Sequence, residues 1–267
     1  MKTRDAGRPR VLPSALAIGA HPDDVEFVMA GTLCLLGEAG WKIHCLSLST
    51  GNLGSLTLAP AETARVRRRE AQAAARVLEA TWHPPICNDL QIFYDDRSLR
   101  RACAVIRQVQ PAVILTHSPQ DYMEDHMNTA RLTITAAFAR ALPGYRTIPS
   151  RKPISGPMTI YHASPHGLRD GLRRFVRPDG FVNTTSVHGR KRAALACHES
   201  QRHFLAATQG MDNYLQTMDE VSLAVGKLSR RFRHAEAWRR HSHFGFCEES
   251  ADPLRAALGP KYLMAHG

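Results

Sequence analysis

The chain has 267 residues, 43% of them hydrophobic, and 35 Lys and Arg against 24 Asp and Glu give a formal net charge of +11; this suits one large α/β domain with a sizeable core. No window approaches ~18 consecutive apolar residues, which argues against a membrane-spanning helix. The positive charge sits in short clusters, Arg67-Arg68-Arg69, Arg173-Arg174 and Arg230-Arg231, with no aromatic platform between them, which disfavours a nucleic-acid partner and leaves an anionic substrate or simple solubility to explain it.

Residues 15–20 form a short apolar run that ends in His21-Pro22-Asp23-Asp24, and 25–39 is amphipathic. The pattern predicts strand, turn and helix, and puts three polar side chains at a strand's C-terminal end, where open α/β sheets keep their ligands. An imidazole and a carboxylate three positions apart suit a divalent metal such as zinc, and the carboxylate between them can stay free as a base. An Asp that caps the following helix, with His21 at the surface, explains the same tetrapeptide. Gly40 stops the helix and 41–49 predicts a second strand. The loop 50–60 then falls at the same edge as His21, as a candidate substrate loop. No G-x-G-x-x-G follows either strand and no Walker-type lysine appears, which speaks against a nucleotide site.

From 61 to 80 the pattern is helical, with Arg67, Ala71, Ala74 and Leu78 on one face and Arg65, Arg69, Gln72 and Arg76 on another. An arginine on an apolar face needs a partner. Two are open to Arg67: the turn at residues 21–24, or Glu70 on its own helix. A short strand and turn follow at 82–89, a helix at 99–109, and a buried strand at 111–116 that ends at His117. The order β-α-β-α-β-α-β predicts a doubly wound, mostly parallel sheet with helices on both faces. A polar loop at 118–126 leads into a helix at about 127–141. Beyond a Pro/Gly-rich connection at 143–157, strands are expected at 158–163 and 181–186, and helices at 189–207 and about 211–232.

The expected organisation is a polar tail at 1–10, a single α/β domain at 11–250 whose C-terminal third covers the sheet and shapes the pocket, and a polar tail at 251–267. The six cysteines occur singly with no C-x-x-C pair, the pattern of reduced thiols. With a polar N-terminus that lacks an apolar signal core, they give a cytoplasmic protein as the expectation.

Two strand ends about a hundred residues apart carry His21-Pro22-Asp23-Asp24 and Asp125-His126, and in one parallel sheet both open on the same edge. His21, Asp24 and His126 would form a His₂Asp set with a position left for water. Asp125 would orient an imidazole, and Asp23 would stay free to act on the water.

These residues resemble a known family. The A-H-P-D-D-V-E run at 20–26, Arg67 and Glu70 in an Ala-rich helix, Thr116-His117, Asp125-His126 and the K-x-x-A-x-x-x-H-x-S-Q run at 191–201 are similar in order and spacing to the PIG-L/LmbE-like deacetylases. The resemblance spans roughly residues 12–201. It implies a Rossmann-like fold and a zinc-dependent enzyme that removes an N-acetyl or other N-acyl group from an amino-sugar-containing small molecule. It makes His21, Asp24 and His126 ligands to one Zn²⁺, with Fe²⁺ or another divalent ion as the alternative, and Asp23 the base. It also brings Arg67 into the pocket and implies a homo-oligomer. The alternatives are a metal hydrolase of another amide or ester, and a non-catalytic sugar- or nucleic-acid-binding member of the fold.

One position departs from the pattern: where many members read H-P-D-H, this chain has Met123-Glu124-Asp125-His126. The leading histidine is the one the family uses to steady the oxyanion or donate a proton. Asp23 can carry both proton transfers, His117 or Tyr122 can substitute, or the activity is altered or lost. Asp95 and Asp96 end a strand-like run and are further candidates for the site. His234, His241 and His243 lack matching carboxylates or cysteines nearby and read as core or surface histidines rather than a second metal site. His198 matches the family run, with a structural role as the competing reading.

Overall fold

The computed structural model describes residues 12–209 and 213–265; the expected tail at 1–10 and the first residues of the helix expected from 211 lie outside them. One eight-stranded sheet runs in the order β3-β2-β1-β4-β5-β7-β6-β8. The middle strand of its parallel part, β1 (Ser14–Gly19), is buried along its whole length and pairs in parallel with β2 (Lys42–Ser47) on one side and β4 (Val113–Thr116) on the other. β3 (Thr81–His83) extends the parallel run beyond β2, and β5 (Thr159–Ala163) extends it beyond β4.

The residues of β1 alternate between two cores, as pleating requires. Ala15 and Ala17 join a cluster with Leu33, Val113, Leu115 and Trp238, whereas Leu16 and Ile18 join Leu46, Ile106, Ile114 and Leu132 on the opposite face. Helices cover both faces: α1 (Asp24–Val28), α2 (Ala30–Glu38), α3 (Pro60–Val77), α4 (Asp96–Val109), α5 (Glu124–Ala139), α6 (His188–Ala196), α7 (Glu199–Gln209), α8 (Tyr214–Leu228) and α9 (Pro253–Leu258). This is the doubly wound α/β architecture expected from the strand and helix order.

Three differences from the expected elements bear on the site. The helix expected at 25–39 is two helices, because Met29 leaves helical geometry at φ −130°. The loop expected to carry Asp125 and His126 ends earlier: both residues stand in the first turn of α5 and are buried. The helix expected at 189–207 is divided into α6 and α7, with His198 at the break.

The C-terminal third does more than cover the sheet. β7 (Ala235–Arg240), β6 (Gly180–Asn183) and β8 (Tyr262–Met264) add three antiparallel strands to it. The tail expected from 251 is therefore corrected: Leu254 and Leu258 of α9 are buried, and β8 caps the free edge of β6, satisfying backbone groups that an edge strand exposes. The signal was weak because α9 has only six residues and β8 three.

Among the described residues, no helix is long and apolar enough to cross a membrane.

Candidate metal centre and active site

The chain leaves β1 and returns beside it as β4, with β2 and β3 built to one side and β5 to the other. That reversal opens a crevice at the C-terminal ends of β1 and β4, the place where doubly wound sheets bind ligands. Residues 20–24 follow β1 and residues 117–126 follow β4, so the two turns face one another there. The cavity between them measures about 400 Å³.

His21, Asp24 and His126 each bring one ligand atom into a group whose atoms all lie within 4.8 Å of one another. Asp125 Oδ2 accepts a hydrogen bond from His21 Nε2 at 3.0 Å, which leaves the lone pair on Nδ1, 3.5 Å from Asp24 Oδ2. Asp121 Oδ1 accepts from His126 Nδ1 at 3.1 Å, which leaves Nε2 of that ring free, 3.5 Å from Asp24 Oδ1. Each inward nitrogen thus has a carboxylate behind its ring, the arrangement that fixes imidazole orientation around a metal. Asp125 orients His21, and the partner of His126 is Asp121, which the sequence did not single out. Among the described residues a second group, His117, Asp121 and His126, also satisfies the spacing for an ion, and it shares His126 with the first.

The electrostatics of the site favour positive charge. Burial pulls the His21 imidazole down, yet Asp125 and Asp24 outweigh it and raise the group to about 10. His126 goes up to about 9 against the same burial, through Asp24 and Asp121. Burial opposes ionisation of Asp24, but the His126 and His117 rings hold its carboxyl well below the usual range. Two imidazoles and an ionised carboxylate, steadied by outer carboxylates, are the donor set for one divalent ion of the zinc class, so the residues present fit a metal.

Asp23 stands apart from this set. It is 6% exposed, sits at φ 112°, and such backbone strain is characteristic of functional turns. Arg67 holds the turn in place: its Nη2 donates to the carbonyl of Pro22 and, at 3.3 Å, to Asp23 Oδ1. Of the two partners open to this arginine, the turn is the one it takes, because Glu70 instead accepts from Ser200 N at 2.8 Å and Ser200 Oγ at 2.6 Å. Arg67 Nη1 donates to Gln201 Oε1, so the S-Q pair that ends the 191–201 run locks α7 onto α3. Tyr214, at the start of α8, donates to Asp23 Oδ2 at 2.5 Å. Burial lifts the Asp23 carboxyl above its ordinary value, against the pull of Arg67.

The loop expected to reach the substrate does line the cavity through Gly51, Leu53 and Gly54. Asp89 ties it down by accepting from Ser49 Oγ, Gly51 N and Leu53 N. Gly51 has φ +72°, and a Cβ there would come within 2.9 Å of Arg67 Nε, so the loop approaches the arginine only because the residue is glycine.

Several candidates do not reach the site. Asp95 caps α4 by accepting from Ser98 N at 2.9 Å, and Asp96 pairs with Arg100 at 2.6 Å. His234 stacks on His188 with ring centroids 3.9 Å apart, whereas His241 lies against His162, so these C-terminal histidines form no common site. His198 is buried with Nε2 3.4 Å from Glu26 Oε2. Met123 caps α5 at the cavity wall, and its thioether donates no proton. Asp121, Tyr214 and His166, which also lines the cavity, were not singled out in the sequence. Asp121 alone had a signal, as a carboxylate five positions before His126; Tyr214 and His166 lie 40 or more residues away from that histidine.

A family model, PIG-L: GlcNAc-PI de-N-acetylase, matches residues 16–137. A 4-oxalmesaconate hydratase of Pseudomonas putida is 32% identical over 198 residues, covering 71% of this chain and 74% of the relative. The crystal structure of GalB, the 4-carboxy-2-hydroxymuconate hydratase of Pseudomonas putida KT2440, superposes with a TM-score of 0.74 at 27% identity, covering 90% of this chain and 99% of that one. The N,N'-diacetylchitobiose deacetylase of Pyrococcus horikoshii shares the fold with a TM-score of 0.71 at 22% identity, over 86% of this chain and 84% of that one. The matched segment carries both strand-end turns, and the chain belongs to the PIG-L family.

Proposed function

We propose that the protein is a metal-dependent hydrolase that removes an N-acyl group, acetyl in the simplest case, from a neutral amino-sugar-containing small molecule. A divalent ion held by His21, Asp24 and His126, zinc in the first instance, would lower the pKa of water and polarise the amide carbonyl. Asp23 takes the proton from the attacking water and delivers it to the leaving nitrogen as the C–N bond breaks; a carboxyl whose proton affinity is raised by burial suits both transfers. Arg67 and Tyr214 keep that carboxylate aimed into the cavity. Asp121 and Asp125 hold the two imidazoles in the tautomers that point a lone pair inward.

The observation that carries the choice of substrate is the lining of the cavity. Among the described lining residues, Arg67 is the only Arg or Lys, and it is already engaged with Pro22, Asp23 and Gln201. A neutral amide needs no further cation. A substrate rich in carboxylates leaves its charges facing Asp23, Asp24, Asp89 and Asp121. A cytoplasmic setting accords with six cysteines, none of them disulfide-bonded, and assembly into a homo-oligomer is part of the same proposal.

The sequence likeness to a hydratase favours a second reading, in which the same Asp23-activated water adds across a carbon–carbon double bond of an unsaturated acid. Both reactions draw on the same site, and one experiment separates them. The purified protein is assayed for metal content, for free-amine release from a panel of N-acetylated sugars, and for loss of ultraviolet absorbance with conjugated unsaturated acids. Amine release that chelation abolishes is the expected outcome. Absorbance loss without amine release shifts the function to hydration.

A further inference from the structure

We propose that His166 is the hydrogen-bond donor to the carbonyl oxygen during attack, the role left without a residue by Met123. This rests on the N-deacylase reading and deepens it.

The argument begins with topology. β5 runs parallel to β4, so its C-terminal end opens on the same edge as those of β1 and β4. The segment Ser164-Pro165-His166 that leaves it lines the cavity and starts a 3₁₀ turn over His166–Leu168. A third strand end therefore supplies a third group to the crevice. Its ring lies 5.5 Å from Phe27 of α1, the helix that begins at Asp24, and 6.3 Å from the Tyr122 ring. The Tyr122 ring in turn sits 5.6 Å from the ligand His126. His166 thus stands beside Phe27 and Tyr122 in the lining of the same cavity as His21, Asp24 and His126.

Three other groups of the cavity, His117, Arg67 and Tyr214, already have partners. His117 Nε2 accepts from Ala20 N at 3.0 Å and lies 3.1 Å from Asp24 Oδ2, and the ring stacks on His126 with centroids 4.0 Å apart. Tyr214 is bound to Asp23, and Arg67 to Pro22, Asp23 and Gln201. Tyr122 stands 55% exposed at the rim. His166 is half-buried, and among the described residues its ring makes aromatic contacts but no hydrogen bond. Burial lowers its pKa, so it faces the substrate as a neutral imidazole with one N–H to give. As water oxygen bonds to the carbonyl carbon, the C=O pair moves to oxygen and that N–H hydrogen-bonds the developing charge. No proton leaves the ring: the water proton passes to Asp23 and then to the nitrogen when the C–N bond breaks. A donor aimed at developing charge stabilises the transition state more than the bound substrate.

The test compares wild type with His166→Ala and His166→Gln at measured metal content and melting temperature. Calorimetry reads the affinity of N-acetylglucosamine and of its methylphosphonamidate analogue, which is tetrahedral and anionic where the amide is planar. In His166→Ala the analogue should bind about 10²-fold more weakly and kcat should fall about 10²-fold, while KM and N-acetylglucosamine affinity stay within about twofold. His166→Gln, which retains an N–H, should recover part of both losses. Unchanged analogue affinity and kcat in His166→Ala overturn the proposal, as does an equal loss for both ligands or a loss of metal. A wild type that binds neither ligand and releases no amine overturns the N-deacylase reading together with this inference, which separates that failure from one confined to His166.

Discussion

Tyr214 donates its hydroxyl proton to Asp23 Oδ2 at 2.5 Å, across 191 positions of the chain. The bond joins the first turn of α8 to the turn after β1, so the C-terminal third fixes the carboxylate that the N-terminal third supplies. Removing that donor leaves one oxygen of a buried carboxylate without its partner, a cost of about 1–3 kcal/mol. Tyr214→Phe should therefore lower stability by about that amount and reduce turnover roughly tenfold, with metal content unchanged. Chemical denaturation and steady-state kinetics on one preparation check both.

In the proposed mechanism Asp23 and Asp24, adjacent in sequence, have different roles. Asp23→Asn should retain the ion and lose turnover by about 10²–10⁴-fold, whereas Asp24→Asn should lose the ion itself. Elemental analysis of the two purified variants makes the distinction, and loss of metal from Asp23→Asn would make Asp23 a ligand.

Asp121 and Asp125 each stand behind one imidazole. Asp121→Asn or Asp125→Asn should weaken metal binding by roughly 10–100-fold without abolishing it. Competition with a chromophoric chelator reads the change directly. Equal affinity in Asp121→Asn would exclude it from orienting His126.

Lys191 and Glu236 form a buried ion pair at 2.7 Å. Glu236 also accepts from Gly31 N, Thr32 N and Thr32 Oγ1, so α2, α6 and β7 converge on one carboxylate. Lys191→Met leaves that charge without its cation and should destabilise the protein by about 3–5 kcal/mol, with the active-site geometry preserved in whatever fraction stays folded. Urea denaturation monitored by circular dichroism tests the magnitude.

Burial lowers both His83 and His162 to about 4. Between that value and the ordinary 6.5 the unfolded chain binds protons that the folded one does not. The stability these groups contribute is therefore present above pH 6.5 and is lost as pH falls towards 4, by at most about 1.4 kcal/mol per pH unit for each group. The urea midpoint should fall between pH 7 and 5, and His83→Gln should flatten that slope.

The doubly wound plan was legible because hydrophobic runs of strand length alternate with amphipathic segments of helix length, and the two polar turns follow apolar strands that any parallel sheet must align. Local periodicity carries that information, and His21, Asp24 and His126 follow from it once both strands lie in one sheet. The same logic left Arg67 between two partners. A helical wheel shows that the residue lies on the buried face, but only packing decides that Glu70 is already bound to Ser200 and that the guanidinium must turn to Pro22 and Asp23.

What tertiary structure alone decided is everything that depends on contacts between distant segments: Tyr214 on Asp23, Asp121 rather than Asp125 behind His126, His166 in the cavity lining, and the tail that becomes β8. Each of those residues is ordinary in its own neighbourhood, because a tyrosine at a helix start or a histidine after a strand has no local pattern that marks its partner. Sequence determined which groups the chain offers to a metal and to a water molecule. The fold determined that Asp125 and Asp121 stand behind His21 and His126, that Tyr214 and Arg67 hold Asp23, and that His166 lines the cavity.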